Sequence, residues 1–339
     1  MASRAILHPD RDTDATRSVR ILFAYPEEAT FVRTDREILA RFADVTSLCA
    51  PPGTRFETLA KALHGHDLAF IWFGLGHASR LVLAAKLLRK STILVGGGWD
   101  VADMPEIGYG AARGTYGRVR AALTFALANR VLAFSRWSAE QVRAVSPRSR
   151  VEPLYLCVDT ETWTPASKEP IALSIGAVTE TNLRRKGLET FSRASRFVPE
   201  VQFVLVGRLD SAAADRLRSL GGTNFEMTGT LDDQSLRALA GRASVYVQVS
   251  LTEGFGLAVA EAMSAGCVPV VTRVAALPEV VNDCGLYVPV EDPKALAAAV
   301  RYAIGSSSGS RARERIRTRF PLRERENALR RIVSALYTS

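Results

Sequence analysis

Ser250-Leu-Thr-Glu-Gly-Phe-Gly-Leu-Ala-Val-Ala-Glu-Ala-Met-Ser-Ala-Gly266 decides the reading of this chain. The apolar run at 245–249 ahead of it predicts a strand, Gly254 and Gly256 a turn, and 257–265 a helix that starts near Gly256. Free backbone N–H groups at such a helix start, with the positive end of the helix dipole, form an anion site suited to a diphosphate. The two glycines let a ligand approach the backbone closely. Glu253 precedes the helix and Glu261 lies about a turn and a half into it, so at ~1.5 Å rise per residue the carboxylates stand on the order of 10 Å apart. They are too distant to share a proton. As an isolated pair they are either two solvated helix-terminal glutamates or acceptors at opposite ends of an extended ligand, Glu253 from a hexose and Glu261 from a ribose, much as an acidic residue grips ribose in dinucleotide folds.

Working outward, the runs at 171–175, 202–206, 225–228 and 268–272 also read as strands, separated by helical segments such as 188–196 and 232–240. Strands that alternate with helices form a parallel sheet. The first half follows the same plan. Val19-Arg-Ile-Leu-Phe-Ala-Tyr25 precedes a helix-like 33–42, and the apolar runs 68–73, 92–95 and 130–134 are each followed by helix-compatible sequence. Residues 147–170, with Pro153 and Pro165, have little periodicity and read as a linker. Residues 293–304 and 311–336 are helical by periodicity, with a Gly/Ser break at 305–310, and no repeat of solenoid period is visible. The expected fold is α/β, with two Rossmann-like doubly wound domains facing each other across a cleft. Residues 1–160 form the first, 161–320 the second, and 321–339 a C-terminal helix crossing back towards the first. Open α/β sheets bind ligands at the carboxyl ends of their strands.

A second segment supplies charge there. Ser174-Ile-Gly-Ala-Val-Thr-Glu-Thr-Asn-Leu-Arg-Arg-Lys-Gly187 reads as a strand ending at Gly176 and a loop that closes on three cations before a helix. Taken alone the segment is either a solvated basic loop or an anion site in which Lys186 offers a point charge to a diphosphate, and Arg184 or Arg185 a planar fork. Departure of a nucleoside diphosphate builds negative charge, which cations fixed at that spot stabilise without Mg²⁺.

Taken together, Arg-Arg-Lys-Gly187, Val-Leu-Val-Gly-Arg208, Phe-Glu-Met-Thr-Gly-Thr-Leu231, Glu-Gly-Phe-Gly-Leu-Ala-Val-Ala-Glu261 and Ala-Gly-Cys-Val-Pro-Val-Val271 resemble the retaining family-4 glycosyltransferases of GT-B fold. Glu253 and Glu261, with seven residues between them, match that family's E-x7-E signature. The resemblance runs clearly from about Ile171 to Pro289 and more weakly over the first domain. It implies that Lys186 neutralises the donor diphosphate, Glu253 contacts the donor sugar and Glu261 holds the ribose. The backbone of Gly254, Phe255, Gly256 and Leu257 then supports sugar and phosphate, and Gly229, Thr230 and Leu231 resemble the strip that touches the base. Many members carry Gly-Arg after the first strand of this domain, whereas Gly176 is followed by Ala177, and Arg185 is taken as the substitute cation. The resemblance further implies transfer of a hexose-type sugar from a nucleotide-sugar donor, UDP-sugar first and GDP-sugar next, to an acceptor hydroxyl. Anomeric configuration is retained, no cofactor or metal is required, and the leaving phosphate itself helps deprotonate the acceptor. Two competing readings use the same architecture: a nucleotide-sugar epimerase, which would turn over UDP-sugar without an acceptor, and a non-catalytic nucleotide-sugar-binding protein.

The acceptor side falls to the first domain, where Phe73-Gly-Leu-Gly-His77 and Gly96-Gly-Gly-Trp-Asp100 follow predicted strands and are expected to face the cleft. Asp100 resembles the Asp of a His-Asp element of the family, although Trp99 stands where the His would be. His77 either hydrogen-bonds a sugar or acceptor hydroxyl or is satisfied locally. The catalytic candidates are therefore Lys186, Arg185, Glu253, Asp100 and His77.

With 339 residues, 47% hydrophobic and 23% charged, the chain is ordinary globular material for two domains. No apolar run reaches the roughly 18 residues of a membrane span, and MASRAILHPDRDTDATRSVR lacks a signal-peptide core, so a cytoplasmic location is expected. The four cysteines, Cys49, Cys157, Cys267 and Cys284, make no CxxC or Cys/His cluster and read as small buried hydrophobes. A net charge of +9 fits an anionic partner. Nucleic acid is disfavoured by the lack of an RNP, helix-turn-helix or zinc-finger pattern. A nicotinamide dehydrogenase is disfavoured because Phe23-Ala-Tyr-Pro-Glu-Glu28 has no glycine. Between Lys86 and Arg150, basic residues including Arg89, Lys90, Arg113, Arg118, Arg120, Arg130, Arg136, Arg143 and Arg148 have little acid among them. Such a stretch is a solvated face or suits a lipid-linked or otherwise anionic acceptor at the inner face of a membrane. A glycan or a small molecule remains an equal acceptor class.

Overall fold

The computed structural model describes residues 18–337, and residues 1–17, most of the stretch read as lacking a signal-peptide core, lie outside them. The first half runs β1 (Arg20–Tyr25), α1 (Thr30–Ala40), β2 (Asp44–Cys49), α2 (Phe56–His64), β3 (Leu68–Trp72), α3 (Gly76–Leu87), β4 (Ser91–Gly96), α4 (Gly114–Leu127), β5 (Arg130–Ala133), α5 (Arg136–Val145) and β6 (Val151–Pro153). The second continues with β7 (Glu169–Ile175), α6 (Glu180–Arg185), α7 (Leu188–Ala194), β8 (Gln202–Val206), α8 (Ser211–Leu220), β9 (Phe225–Gly229), α9 (Asp233–Arg242) and β10 (Ala243–Gln248). It closes with α10 (Leu257–Ser264), β11 (Val268–Thr272), α11 (Leu277–Val281), β12 (Leu286–Val288), α12 (Pro293–Ile304), α13 (Gly309–Arg319) and α14 (Leu322–Tyr337).

These strands form two six-stranded parallel sheets, ordered β2-β1-β3-β4-β5-β6 and β12-β11-β10-β7-β8-β9. Parallel strands need crossovers, and each crossover helix covers a sheet face, so strands buried on both sides become apolar runs. In the first sheet Ile21, Phe23, Phe70, Trp72, Ile93 and Val95 share the core that continues into the second domain. Leu22, Ala24, Ala69, Ile71 and Leu94 pack on the opposite side, under α2 to α5. The order reverses between β1 and β3 in one sheet and between β7 and β10 in the other, and a doubly wound sheet opens a ligand crevice at such a reversal.

Several sequence expectations change. The segment read as linker contains β6, whose Val151 pairs with Val131. The loop expected ahead of Lys186 is helix α6, N-capped by Thr179, whose side chain accepts from Asn182 N. The single helix expected over 311–336 is two, because Pro321 lacks an N–H and excludes Phe320 from helical geometry. Cys49 is exposed on the edge strand β2, unlike the three buried thiols.

Helix α14 lies against the first domain. The fully buried Arg325 guanidinium grips Asp35 of α1 through two bonds of 2.5 and 2.7 Å and donates to the carbonyls of Leu154 and Tyr155 at 3.0 and 2.7 Å. Arg41 pairs with Glu326 at 2.7 Å nearer the surface.

Candidate functional site

At the β7/β10 reversal, local geometry gathers the charged groups. Gly187 takes a left-handed φ of 66° and packs so tightly on the Val249 carbonyl that any Cβ there would collide with it. Leu251 N donates to Arg185 O at 2.8 Å, which fixes the end of α6 to the end of β10. Lys186 is thereby laid across Gly176, where an added Cβ would sit 2.8 Å from Lys186 Cδ and 3.6 Å from Nζ. Burial holds the Lys186 ammonium below the ordinary lysine range, while Glu253 draws it back up. The Arg185 guanidinium donates Nε and Nη2 to Asn182 Oδ1 at 3.0 and 2.8 Å and lies 4.7 Å from the centre of the Tyr109 ring, which comes from the first domain. Arg184 turns away: its Nε pairs with Glu291 at 2.8 Å on the outer surface. Lys186, Arg185, Gly176 and Glu253 are brought together, and Arg184 is not.

On the other lip, Gln248 Nε2 donates to Glu253 Oε2 at 2.6 Å, and Tyr246 OH donates to Gln248 Oε1 at 3.2 Å. Gly256, at φ 93°, caps α10, and Leu257 opens its first turn. The Phe255 ring is buried against Tyr155 and Phe320, so only its backbone borders the cleft. Glu261 faces a recess of about 170 Å³ shared with Thr30, Arg33, Glu37, Arg237 and Leu257. Burial pushes its carboxyl up to about 8, against the pull of Arg237 and with the help of Asp233. Gly229 ends β9 at φ 76° with open space beside it, followed by the exposed Thr230 and the half-buried Leu231. Gly207 N donates to Gly229 O at 3.0 Å, and Gly207 packs on the Gly176 carbonyl, so the ends of β9, β8 and β7 make one continuous floor.

The cleft is closed by a seam that no motif signalled. Ser135 and Ser138, at the start of α5, donate their hydroxyls to the Gly254 carbonyl at 2.8 and 2.9 Å. Glu279 of α11 accepts from Arg136 N at 2.9 Å, Trp137 N at 2.8 Å and Tyr155 OH at 2.8 Å. A carboxylate from one domain thus caps a helix of the other.

His77 and Asp100 lie beneath the cleft surface, 0% and 1% exposed. Asp100 accepts from Gly74 N at 2.9 Å and from Gly97 N and Gly98 N at 2.9 and 2.8 Å, tying the loops after β3 and β4 together. Burial raises its pKa and these bonds oppose the rise. His77 Nε2 bonds the Trp72 carbonyl at 2.9 Å, Nδ1 has no partner, and burial holds the ring down to about 4. Among the described residues no group of three metal-ligating His, Cys, Asp or Glu side chains occurs, and no helix is long and apolar enough to cross a membrane.

Two doubly wound sheets with apposed carboxyl ends and a cationic recess at the reversal of the second define the GT-B class. Solved structures share that fold. Sucrose-phosphate synthase from Thermosynechococcus elongatus superposes with a TM-score of 0.76 at 20% identity, covering 94% of this chain and 99% of the other. HepE from Anabaena, in complex with UDP and glucose, gives 0.76 at 14% identity, covering 94% and 100%. Residues 169–306, which make up most of the second domain, match the model of the glycosyl transferases group 1. A phosphatidylinositol N-acetylglucosaminyltransferase subunit of Arabidopsis thaliana is 31% identical over 199 residues, 52% of this chain and 44% of its own length. Alpha-maltose-1-phosphate synthase of Mycolicibacterium smegmatis is 28% identical over 292 residues, 76% of this chain and 70% of its own. The chain spans less than half of the first of these relatives.

Proposed function

We propose that this chain moves a hexose-type sugar from a nucleotide-sugar donor, UDP-sugar before GDP-sugar, to an acceptor hydroxyl, with retention of configuration and no required metal. The observation that carries the reading is Lys186 laid over Gly176 at the β7/β10 reversal, opposite Glu253 and the first turn of α10. A diphosphate there meets the α10 N–H groups, the Lys186 ammonium and the Arg185 fork, which together stabilise the charge that grows as the glycosidic bond breaks. Two cations fixed by packing support independence from Mg²⁺. Glu253, oriented by Gln248, accepts from donor-sugar hydroxyls, Glu261 from the ribose, and the base follows the floor to Gly229, Thr230 and Leu231. Asp100 has its oxygens taken by three N–H groups, which supports a reaction with no enzymic carboxylate nucleophile and hence front-face retention. Asp100 and His77 then act as positioning residues under the acceptor-side glycine loops. HepE bound to UDP-glucose favours uridine. The phosphatidylinositol and phosphatidyl-myo-inositol substrates in the names of two relatives favour a lipid-linked acceptor.

The test is thermal stabilisation by UDP, GDP, ADP and dTDP with and without EDTA, on the protein and on Glu261→Ala, since a ligand that binds only the folded state raises Tm by mass action. A shift with one nucleotide that survives EDTA and disappears in the variant supports the reading and names the base. The absence of any shift overturns it. NMR of the transferred sugar then gives the anomer.

A further inference from the structure

Helices α3 and α4 lie side by side on the outer face of the first domain, joined by a 2.7 Å bond between Ser79 Oγ and Thr124 Oγ1. Their inner faces fill the core through residues such as Leu81, Val82, Ala121 and Phe125. Their outer faces are not polar. Leu83 and Leu87 of α3 and Tyr116, Val119, Leu123 and Leu127 of α4 are exposed by 39 to 79%, and they are six of the eleven exposed large hydrophobic side chains among the described residues. Spacings of three and four residues set each helix's apolar residues along one stripe.

Cations are interleaved with these stripes. Lys86, Arg89 and Lys90 flank Leu87, and Arg118 stands beside Val119, while neither helix contains an Asp or Glu. Some arginines elsewhere, such as Arg20, Arg216, Arg242 and Arg325, are taken up in ion pairs with Asp or Glu, and among the described residues none of these four cations enters one. A contiguous apolar patch on a soluble surface marks an interaction site. Unpaired cations set among the apolar residues match an anionic lipid surface, where lysine stems snorkel and the apolar side chains enter the headgroup boundary. The patch also adjoins the cleft. Ala111 N donates to Trp99 O at 2.7 Å, Trp99 is itself exposed, and Gly117 of α4 packs directly on the Ala111 carbonyl.

We propose that the α3/α4 face docks the protein on an anionic bilayer, with the Gly96–Asp100 side of the cleft turned towards the membrane. The docking rests on the proposed function only in that a glycosyl acceptor carried by a lipid would meet the cleft there. The experiment is co-sedimentation of the full chain with vesicles of phosphatidylcholine, with or without phosphatidylglycerol, over a range of salt, and with the UDP-induced melting shift recorded in parallel. The expected result is binding to the anionic vesicles alone, weakened by salt. The pairs Val119→Glu with Leu123→Glu and Lys86→Glu with Arg118→Glu each weaken it by roughly tenfold or more. The UDP shift is unchanged, because these side chains lie outside the nucleotide recess. Equal binding to neutral vesicles, no vesicle binding, or a dimer in light scattering that Val119→Glu with Leu123→Glu dissociates overturns the proposal, the last by showing that a second copy covers the face. Loss of vesicle binding with an intact UDP shift removes the docking alone, and vesicle binding with no UDP shift removes the donor reading alone.

Discussion

Gly176→Ala isolates the position of one ammonium group. The new methyl would sit 2.8 Å from Lys186 Cδ and 3.5 Å from Cε. Carbon contacts are comfortable at about 3.5–4.0 Å, so the lysine stem must withdraw by roughly 1 Å. The obstacle is a flexible side chain rather than backbone, and Gly176 is not in the left-handed region, so the fold absorbs the change and Tm should move by no more than about 2 °C. Moving a cation from roughly 4 to 5 Å from a phosphate charge, at an effective dielectric of about 20, costs on the order of 0.8 kcal/mol, or about fourfold in UDP affinity. A misplacement of that size at the reacting centre costs up to about 10²-fold in kcat/KM. UDP titration by calorimetry reads the first quantity, and UDP release from the donor reads the second. Because the methyl acts only through Lys186, Gly176→Ala combined with Lys186→Ala should be no worse than Lys186→Ala alone. Unchanged UDP affinity and turnover in Gly176→Ala, or additive losses in the double variant, would refute the assignment of Lys186 to the diphosphate.

Glu261, raised to about 8 in the folded chain from an ordinary value near 4.3, holds more protons folded than unfolded between those limits, so its contribution to stability falls as pH climbs through that window. Glu261→Gln, which does not titrate, should gain Tm relative to the parent between pH 5 and 8.5, and parallel Tm–pH curves would show the carboxyl to be ordinary. Arg325→Met leaves Asp35 buried without its partner and should cost about 3–5 kcal/mol in urea unfolding, whereas a loss under about 1 kcal/mol would mean the pair is solvated. Tyr109→Ala should free the Arg185 fork and weaken UDP binding by roughly two- to tenfold, with Tyr109→Phe at parent affinity because the ring and not the hydroxyl holds the guanidinium. Equal loss in both variants would assign the effect to the hydroxyl.

The parts of this molecule that a sequence displays are those built from neighbours. The turn before α10 and the buried strands are local patterns of glycine and apolar runs and lie where those patterns put them, whereas the two arginines of Arg-Arg-Lys-Gly, read as part of a loop, end helix α6. Strand β2 escaped because its Asp-Val-Thr-Ser-Leu-Cys is a largely exposed edge with no continuous apolar run. Residue type alone leaves Arg184 and Arg185 equivalent as forks, although Arg185 is taken as the substitute cation; the helical geometry of α6 separates them, since consecutive helical residues point about 100° apart and both cannot face one cleft. Asn182, Gln248 and Tyr109 steady the candidate site through single side chains that carry no signature. Glu279 acts across 143 positions on Arg136, a pairing that only the assembled domains reveal. His77 and Asp100 sat at the expected strand ends, but the glycine loops fold over them, and a sequence does not show which side of a loop a side chain takes.

The seam bears on how the proposed reaction is gated. The turn at 253–256 sits beside Lys186, and the carbonyl of its Gly254 is held by Ser135 and Ser138 of the opposite domain. Glu279 fastens the same α5 terminus three residues or fewer from those serines. An added Cβ at Gly254 would come 3.1 Å from the Phe134 ring, so the two domains meet here at backbone distance. Separation of the domains must therefore release the turn that carries Glu253 and leads into the first turn of α10. On the proposed reading, the donor-sugar contacts are complete only while the acceptor domain is engaged, so water entering an open cleft meets a donor whose leaving group is not yet fully stabilised. Such coupling favours transfer over hydrolysis without any additional lid, and it places Glu279 and the two serines among the residues that set the ratio of the two outcomes.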